Sequence, residues 1–177
     1  MTKLAGEQLA FAYWRNYQVP VVALRYFTVY GPRQRPDMAF NRFIRNMLDG
    51  CPIEVYGDGE QTRDFTYVDD AVEANLAAAT TDVTGQALNI GGGSCVTVNQ
   101  VLRLLREIIG RQPTVHYVQS QRGDVRRAAA DTSAAARVLR YSPSADLAAG
   151  LRAQVVWALT NGMPVGQGDR VGPTLVC

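Results

Sequence analysis

The residues best able to do chemistry fall in three short stretches. The first is "RYFTVYGPRQRPDM", residues 25–38, in which Tyr26, Phe27, Thr28 and Tyr30 precede Arg33 and Arg35. Pro32 and Pro36 restrict the backbone around the two arginines, so this segment reads as a stiff cationic loop suited to a carboxylate or a phosphate. Aromatic core residues beside solvated arginines are the plainer alternative. The second stretch is "YGDGEQTRDFTYVDD", where Gly57 and Gly59 shape a turn and Arg63 enters a strand beside Asp64. Taken alone, Arg63 with Asp64 reads as a surface ion pair sooner than as a ligand site. The third, "QRGDVRRAAAD" (121–131), is a basic loop compatible with closure over a diphosphate or with a solvated turn. Three arginine-bearing loops that converge would recognise a doubly charged group.

Other groups carry less. "NIGGGS" follows a strand and precedes a helix, but it is neither GxGxxG nor GxxxxGK[ST], so tight turn geometry explains it better than phosphate binding. His116, the only histidine, lies in an alternating strand and reads as a packed or edge residue. Cys51, Cys95 and Cys177 form no CxxC or Cys/His pattern, which supports neither a disulfide framework nor a zinc site and predicts reduced thiols.

These loops need elements to hold them. Residues 2–17 have Leu4, Ala5, Leu9, Ala12 and Tyr13 at helical spacing, and "VVALRYFTVY" after Pro20 is apolar enough at its start to be a parallel strand covered on both faces. Helices are predicted near 38–49, 69–80, 98–109, over "DTSAAARVLRY" with Asp131 as cap, and over 146–160. Short strands are predicted at "IEVYG", "RDFTYV", "QALNIG" and "TVHYVQ". Thr97 and Gln100 are spaced as a capping box, and Val101, Leu104, Leu105 and Ile108 form the apolar stripe behind it. The order is that of an α/β fold, in which ligands bind at the carboxyl ends of parallel strands. The tail from Gly162 is rich in Gly and Pro and reads as loose.

Composition sets the outer limits. The chain has 177 residues, 47% of them hydrophobic and 19% charged, with a net charge of +2, so it is globular and has no general pull towards nucleic acid or a membrane surface. No apolar stretch reaches the length of a membrane span, and no signal core opens the chain, which together predict a cytoplasmic protein.

The motifs "KLAGEQL", "RYFTVYGPRQRPDM", "YGDGEQTRDFTYVDD", "NIGGG" and "RGDV…AADTS" occur in the order and spacing of one family. The chain resembles the extended short-chain dehydrogenase/reductase family of NAD-dependent nucleotide-sugar epimerases and dehydratases, from Lys3 to about residue 160. The resemblance covers that family's C-terminal half. It implies the last part of a Rossmann-type doubly wound sheet in residues 1–35, a smaller α/β nucleotide-sugar-binding domain in 36–161 with elements returning to the sheet, and a tail from 162 to 177. It also implies that the glycine-rich NAD loop and the tyrosine of the family's Tyr-x-x-x-Lys motif fall upstream of Met1, so that the isolated chain is expected to be inactive.

By the same resemblance, Lys3 is the motif's lysine and bonds the nicotinamide ribose of NAD, while Tyr26 and Phe27 lie against the nicotinamide ring. Thr28 sits beside the sugar. The run "FTVYGPRQRPDM" is most similar to the UDP-glucuronate 4-epimerase branch, where Arg35 would grip the sugar carboxylate, with Thr28 assisting, and keep the 4-keto acid from losing carbon dioxide. Tyr56 matches the aromatic that stacks on uracil, Arg63 the diphosphate arginine and Asp124 a ribose contact. Many relatives carry Arg at the position of Gln121; here Arg122 stands beside it as the second diphosphate residue. UDP-glucose 4-epimerase and sugar-nucleotide dehydratase are the alternatives within the family, and a non-catalytic fragment that binds nucleotide sugar is the alternative outside it. A homodimer through the helix 2–17 is implied as well, and no metal is.

Overall fold

The computed structural model describes residues 1–121 and 123–162. Helix α1 (Thr2–Tyr17) leads into β1 (Val22–Tyr26), which pairs in parallel with β5 (Gln86–Ile90). The continuous strand predicted over 21–30 is divided. At Phe27 the chain gives its N–H to the Ile90 carbonyl, and then, as β2 (Thr28–Tyr30), it changes partner to pair in parallel with β4 (Thr62–Tyr67). Apolar periodicity does not record a change of partner, so the sequence pattern runs through it unbroken.

On its other side β4 pairs antiparallel with β6 (Cys95–Thr97), a three-residue strand too short to stand out in the sequence. A third sheet joins β3 (Ile53–Tyr56) in parallel to β7 (Val115–Val118). His116 lies on β7, exposed, as an edge residue. Helices α2 (Ala39–Asp49), α3 (Val68–Thr80), α4 (Val98–Ile109), α5 (Ser133–Leu139) and α6 (Leu147–Asn161) complete the described chain. The result is the predicted α/β fold.

The capping box at α4 forms as its spacing implies: Thr97 Oγ1 accepts from Gln100 N at 3.1 Å, and Gln100 Oε1 accepts from Thr97 N at 2.7 Å. Its buried face is Val101, Leu102 and Leu105, with Leu104 and Ile108 only partly covered. Asp146 caps α6 by accepting from Ala149 N at 3.2 Å, whereas the N-cap of α5 is Thr132 and not the predicted Asp131, which lies one residue earlier and accepts from Ser133 N at 3.0 Å.

The larger core lies between the β2–β4–β6 sheet and α2, α4 and α6, where Tyr30, Phe40, Phe65, Ile44, Leu105 and Leu151 are buried. Tyr30 sits edge-on to Phe40 and Phe65, with ring centroids 5.4 and 6.4 Å away. A smaller core packs α3 and α5 on β5 through Ala74, Leu88, Ile90, Ala135 and Leu139.

The two cores meet at the end of β5. There the Ile90 carbonyl takes Phe27 N–H and the Thr66 hydroxyl, the Gly91 carbonyl takes the Tyr141 hydroxyl at 2.8 Å, and Gly92 N donates to Asp64 Oδ1 at 2.6 Å. Gly91 and Gly92 are needed here for closeness. A Cβ on Gly92 would strike the Phe65 carbonyl oxygen, and one on Gly91 would strike Ala130 and the Asp64 carboxylate. The glycine run thus serves sheet-to-sheet packing, and of its three residues only Gly93 has the left-handed backbone of a turn.

Cys95 is a free thiol, whereas Cys51 is disulfide-bonded. The prediction of three reduced thiols is corrected at Cys51, because spacing along the chain does not report proximity in space. No described helix is long and apolar enough to cross a membrane.

Candidate functional site

The second and third arginine loops converge as their composition implies. Residues 126–130 run beside the start of β4: Thr62 N donates to the Arg126 carbonyl at 3.0 Å, Ala128 N to the Thr62 carbonyl at 3.1 Å and Asp64 N to the Ala128 carbonyl at 3.0 Å. This pairing delivers the 123–125 segment to Arg63. The Arg63 guanidinium forms an ion pair with Asp124 and donates to the Val125 carbonyl at 2.5 Å. Tyr56, Gln121, Gly123 and Asp124 line one cavity of about 350 Å³. An aromatic face and a carboxylate from separate parts of the chain therefore meet at one opening, and the carboxylate is the one that pairs with Arg63. Arg122 and the tail from residue 163 lie outside the described residues.

Asp64 has a different role from its neighbour. Alternation along β4 sends Arg63 and Asp64 to opposite faces, so the pair considered from sequence does not form. Asp64 is 2% exposed and accepts from Gly92 N and, at 3.2 Å, from Ala130 N. It fastens the arm that carries Asp124 to the seam between the sheets. The turn 57–60 is fastened from the other side: Asn99 Nδ2 donates to the Asp58 carbonyl at 3.0 Å and to Glu60 Oε1 at 2.6 Å, and Asp58 pairs with Arg126 at 2.9 Å. The Glu60 N–H and the Arg126 guanidinium hold the Asp58 carboxyl below its ordinary pKa.

The first loop forms a separate place. Val29, Tyr30, Arg33, Gln34, Arg35 and Met38 line a cavity of about 430 Å³ past the carboxyl end of β2. Gln34 Nε2 donates to the Val29 carbonyl at 3.0 Å, which folds the loop back along the strand that begins with half-buried Thr28. Three amides fix it. Gln154 on α6, 2% exposed, accepts from Gly31 N at 3.1 Å and donates to Gln34 Oε1 at 3.0 Å; Asn41 Nδ2 donates to the Gln34 carbonyl at 2.9 Å. Sequence reading missed Gln34, Asn41 and Gln154, since a glutamine in an amphipathic helix signals a solvated face. The two outer arginines then diverge. Arg33, at φ 65, is exposed, while Arg35 is taken by Asp37 through Nε–Oδ1 at 3.1 Å and Nη2–Oδ2 at 2.8 Å.

Lys3 lies near the start of α1, and Tyr26 and Phe27 lie at the end of β1. Glu7 holds Arg25 through two bonds of 2.7 and 2.6 Å, and Trp14 Nε1 donates to Thr84 Oγ1 just before β5, so α1 runs antiparallel to β1. Lys3 lies one turn before Glu7 on the same helical face, which carries it towards the carboxyl end of β1, where Tyr26 is 41% exposed. Lys3 has no ion pair among the described residues. A cation and an aromatic surface at the end of a parallel strand suit a ribose and the flat ring of a dinucleotide, so these residues fit one end of NAD.

The chain belongs to the NAD dependent epimerase/dehydratase family, which residues 1–91 match. Among individual relatives, a UDP-glucuronate 4-epimerase from Thermodesulfobacterium geofontis is 36% identical over 161 residues, which cover 90% of this chain and 50% of that protein. The crystal structure of UDP-glucuronic acid 4-epimerase from Bacillus cereus, in complex with UDP-glucuronic acid and NAD, superposes with a TM-score of 0.85 at 44% identity over 88% of this chain and 50% of that one. UDP-glucose 4-epimerase from Thermotoga maritima, solved with UDP-glucose, gives 0.83 at 37% identity, over 87% and 50% of the two chains. The chain spans about half the length of the curated relatives it matches.

Proposed function

We propose that this chain supplies the nucleotide-sugar side of an NAD-dependent UDP-sugar 4-epimerase, with UDP-glucuronate as its substrate. The observation that carries the proposal is the meeting of Tyr56 and Asp124 at one opening, with Arg63 paired to Asp124, because each of the three has the chemistry of one part of UDP. The Tyr56 ring offers a stacking face for uracil, the Arg63 fork a charge for the diphosphate, and the Asp124 carboxylate an acceptor for the ribose hydroxyls. Residues 36–161 would form most of this side, and residues 1–35 the side that faces NAD together with two residues for the sugar.

Thr28 and Arg35 would hold the sugar, Arg35 by pairing with its carboxylate. That grip has a chemical use, since oxidation at C4 makes a β-keto acid, and a fixed carboxylate resists decarboxylation while the sugar turns its other face. NAD, when bound, supplies the hydride acceptor and donor. Lys3 would hold its ribose and lower the pKa of a phenol placed one turn earlier, and Tyr26 and Phe27 would cover its ring. Helix α1, with Leu4, Leu9 and Tyr13 at least half exposed, suits a homodimer.

Equilibrium titration of the chain with UDP tests the reading. Saturable binding that Arg63→Ala weakens at least roughly tenfold is expected, the value of a hydrogen-bonded charge; UDP binding indifferent to Arg63 and Tyr56 would refute it.

A further inference from the structure

Arg35 already holds a carboxylate. The Asp37 side chain meets it in the two-bond, fork-to-fork arrangement that a sugar carboxylate would use, with Nε on one oxygen and Nη2 on the other. The Nε–Nη2 edge of a guanidinium serves one carboxylate at a time, and Met38 Sδ lies 3.9 Å from the same Nη2. The main chain around Arg35 has little freedom to move, because Gln34 is bonded on both its side chain and its carbonyl to Val29, Asn41 and Gln154. Any exchange of partners therefore happens between side chains.

We propose that Asp37 is a specificity-determining residue: an internal competitor carboxylate that occupies the Arg35 fork until a substrate carboxylate displaces it. The inference rests on the proposed pairing of Arg35 with the sugar. Displacement is cheap for two reasons. Both partners are largely exposed, at 74% and 66% of their side-chain surface, so the resident pair is weak. Asp37 also immediately precedes Met38, the N-cap of α2, whose first turn holds no acidic residue, so the released carboxylate stays beside the positive end of a helix dipole. A neutral hexose leaves the resident pair intact and gains nothing from Arg35. A uronate gains the fork only by the margin over Asp37, so Asp37 sets the size of the preference without touching the rest of the substrate. Arg33, without an ion pair among the described residues, keeps the loop cationic throughout.

Calorimetric dissociation constants for UDP-glucuronate and UDP-glucose test this in the full chain, in Asp37→Asn, in Arg35→Ala and in the double variant. Asp37→Asn is expected to tighten UDP-glucuronate roughly threefold, the upper range for an exposed pair, and to leave UDP-glucose unchanged. Asp37→Glu should behave as the native chain. The gain should vanish when Arg35 is already alanine, which a general charge effect would not do. If Arg35→Ala selectively weakens UDP-glucuronate while Asp37→Asn weakens it, leaves it unchanged or shifts both ligands alike, the competitor role is wrong and the carboxylate role of Arg35 stands. If Arg35→Ala affects both ligands equally, or the chain binds neither, both readings fall.

Discussion

Around β2, β4 and β6 the chain closes its own core, whereas around β1 and β5 it leaves a strand edge and a helix face uncovered. Tyr30, Ile44 and Leu151 are at most 2% exposed in the first region; in the second, α1 buries no residue, and Leu4, Leu9 and Tyr17 are 59%, 60% and 72% exposed. β1 has β5 on one edge and no strand on the other among the described residues. The sequence of β1 nevertheless has the continuous apolar start of a strand buried on both faces. On the proposed function, the self-sufficient region would hold the residues for UDP, and the uncovered one would hold Lys3, Tyr26 and Phe27 for a dinucleotide. On that proposal, stability and the two halves of the chemistry divide at the same seam.

Breaking the seam should have the largest effect. Gly92→Ala forces a Cβ into the Phe65 carbonyl and disturbs the Asp64 contact, and we expect a loss of at least about 4 kcal/mol or no folded protein by denaturant titration. Tyr30→Ala, within the closed core, should cost about 3–5 kcal/mol by the same measurement. Its counterpart in the open region, Leu9→Ala, should stay within about 0.5 kcal/mol, and a large loss there would mean that α1 is covered in solution. Gln154→Leu lies between, at about 1–3 kcal/mol, since Gly31 N and Gln34 Oε1 lose a buried partner.

The smallest effect is electrostatic. Glu7 and Asp58 both have carboxyls held below their ordinary pKa, the first by its hydrogen bonds to Arg25 and the second by Glu60 N–H and Arg126. A depressed carboxylate adds stability above its unfolded pKa, about 4, and loses it as the pH falls through the folded value. Melting temperature should therefore be level from pH 7 to about 5 and decline below about 4, with Asp58→Asn removing only its own part of the decline.

Much of the closed region was legible in the sequence because its signals are local. The Thr97–Gln100 box and the glycines at 57 and 59 act within a few residues, and Arg63 and Asp124 stand in ordered motifs that the structure brings together. What stayed hidden depends on distant parts of the chain. The break at Phe27 follows from a change of strand partner, Gln154 acts 120 residues from the loop it fixes, and Asp64 differs from Arg63 only in the face it points to. The pairing of Arg35 with Asp37 is close in sequence, yet a motif read as a binding site gives no sign that the site's charge is already engaged.

The measurement closest to the central claim is calorimetric titration of the 177-residue chain with UDP-glucuronate and, separately, with NAD. Saturable one-to-one binding of UDP-glucuronate, with NAD far weaker, is the result this division of the molecule requires. Binding of NAD alone, or of neither ligand by a folded chain, would contradict it.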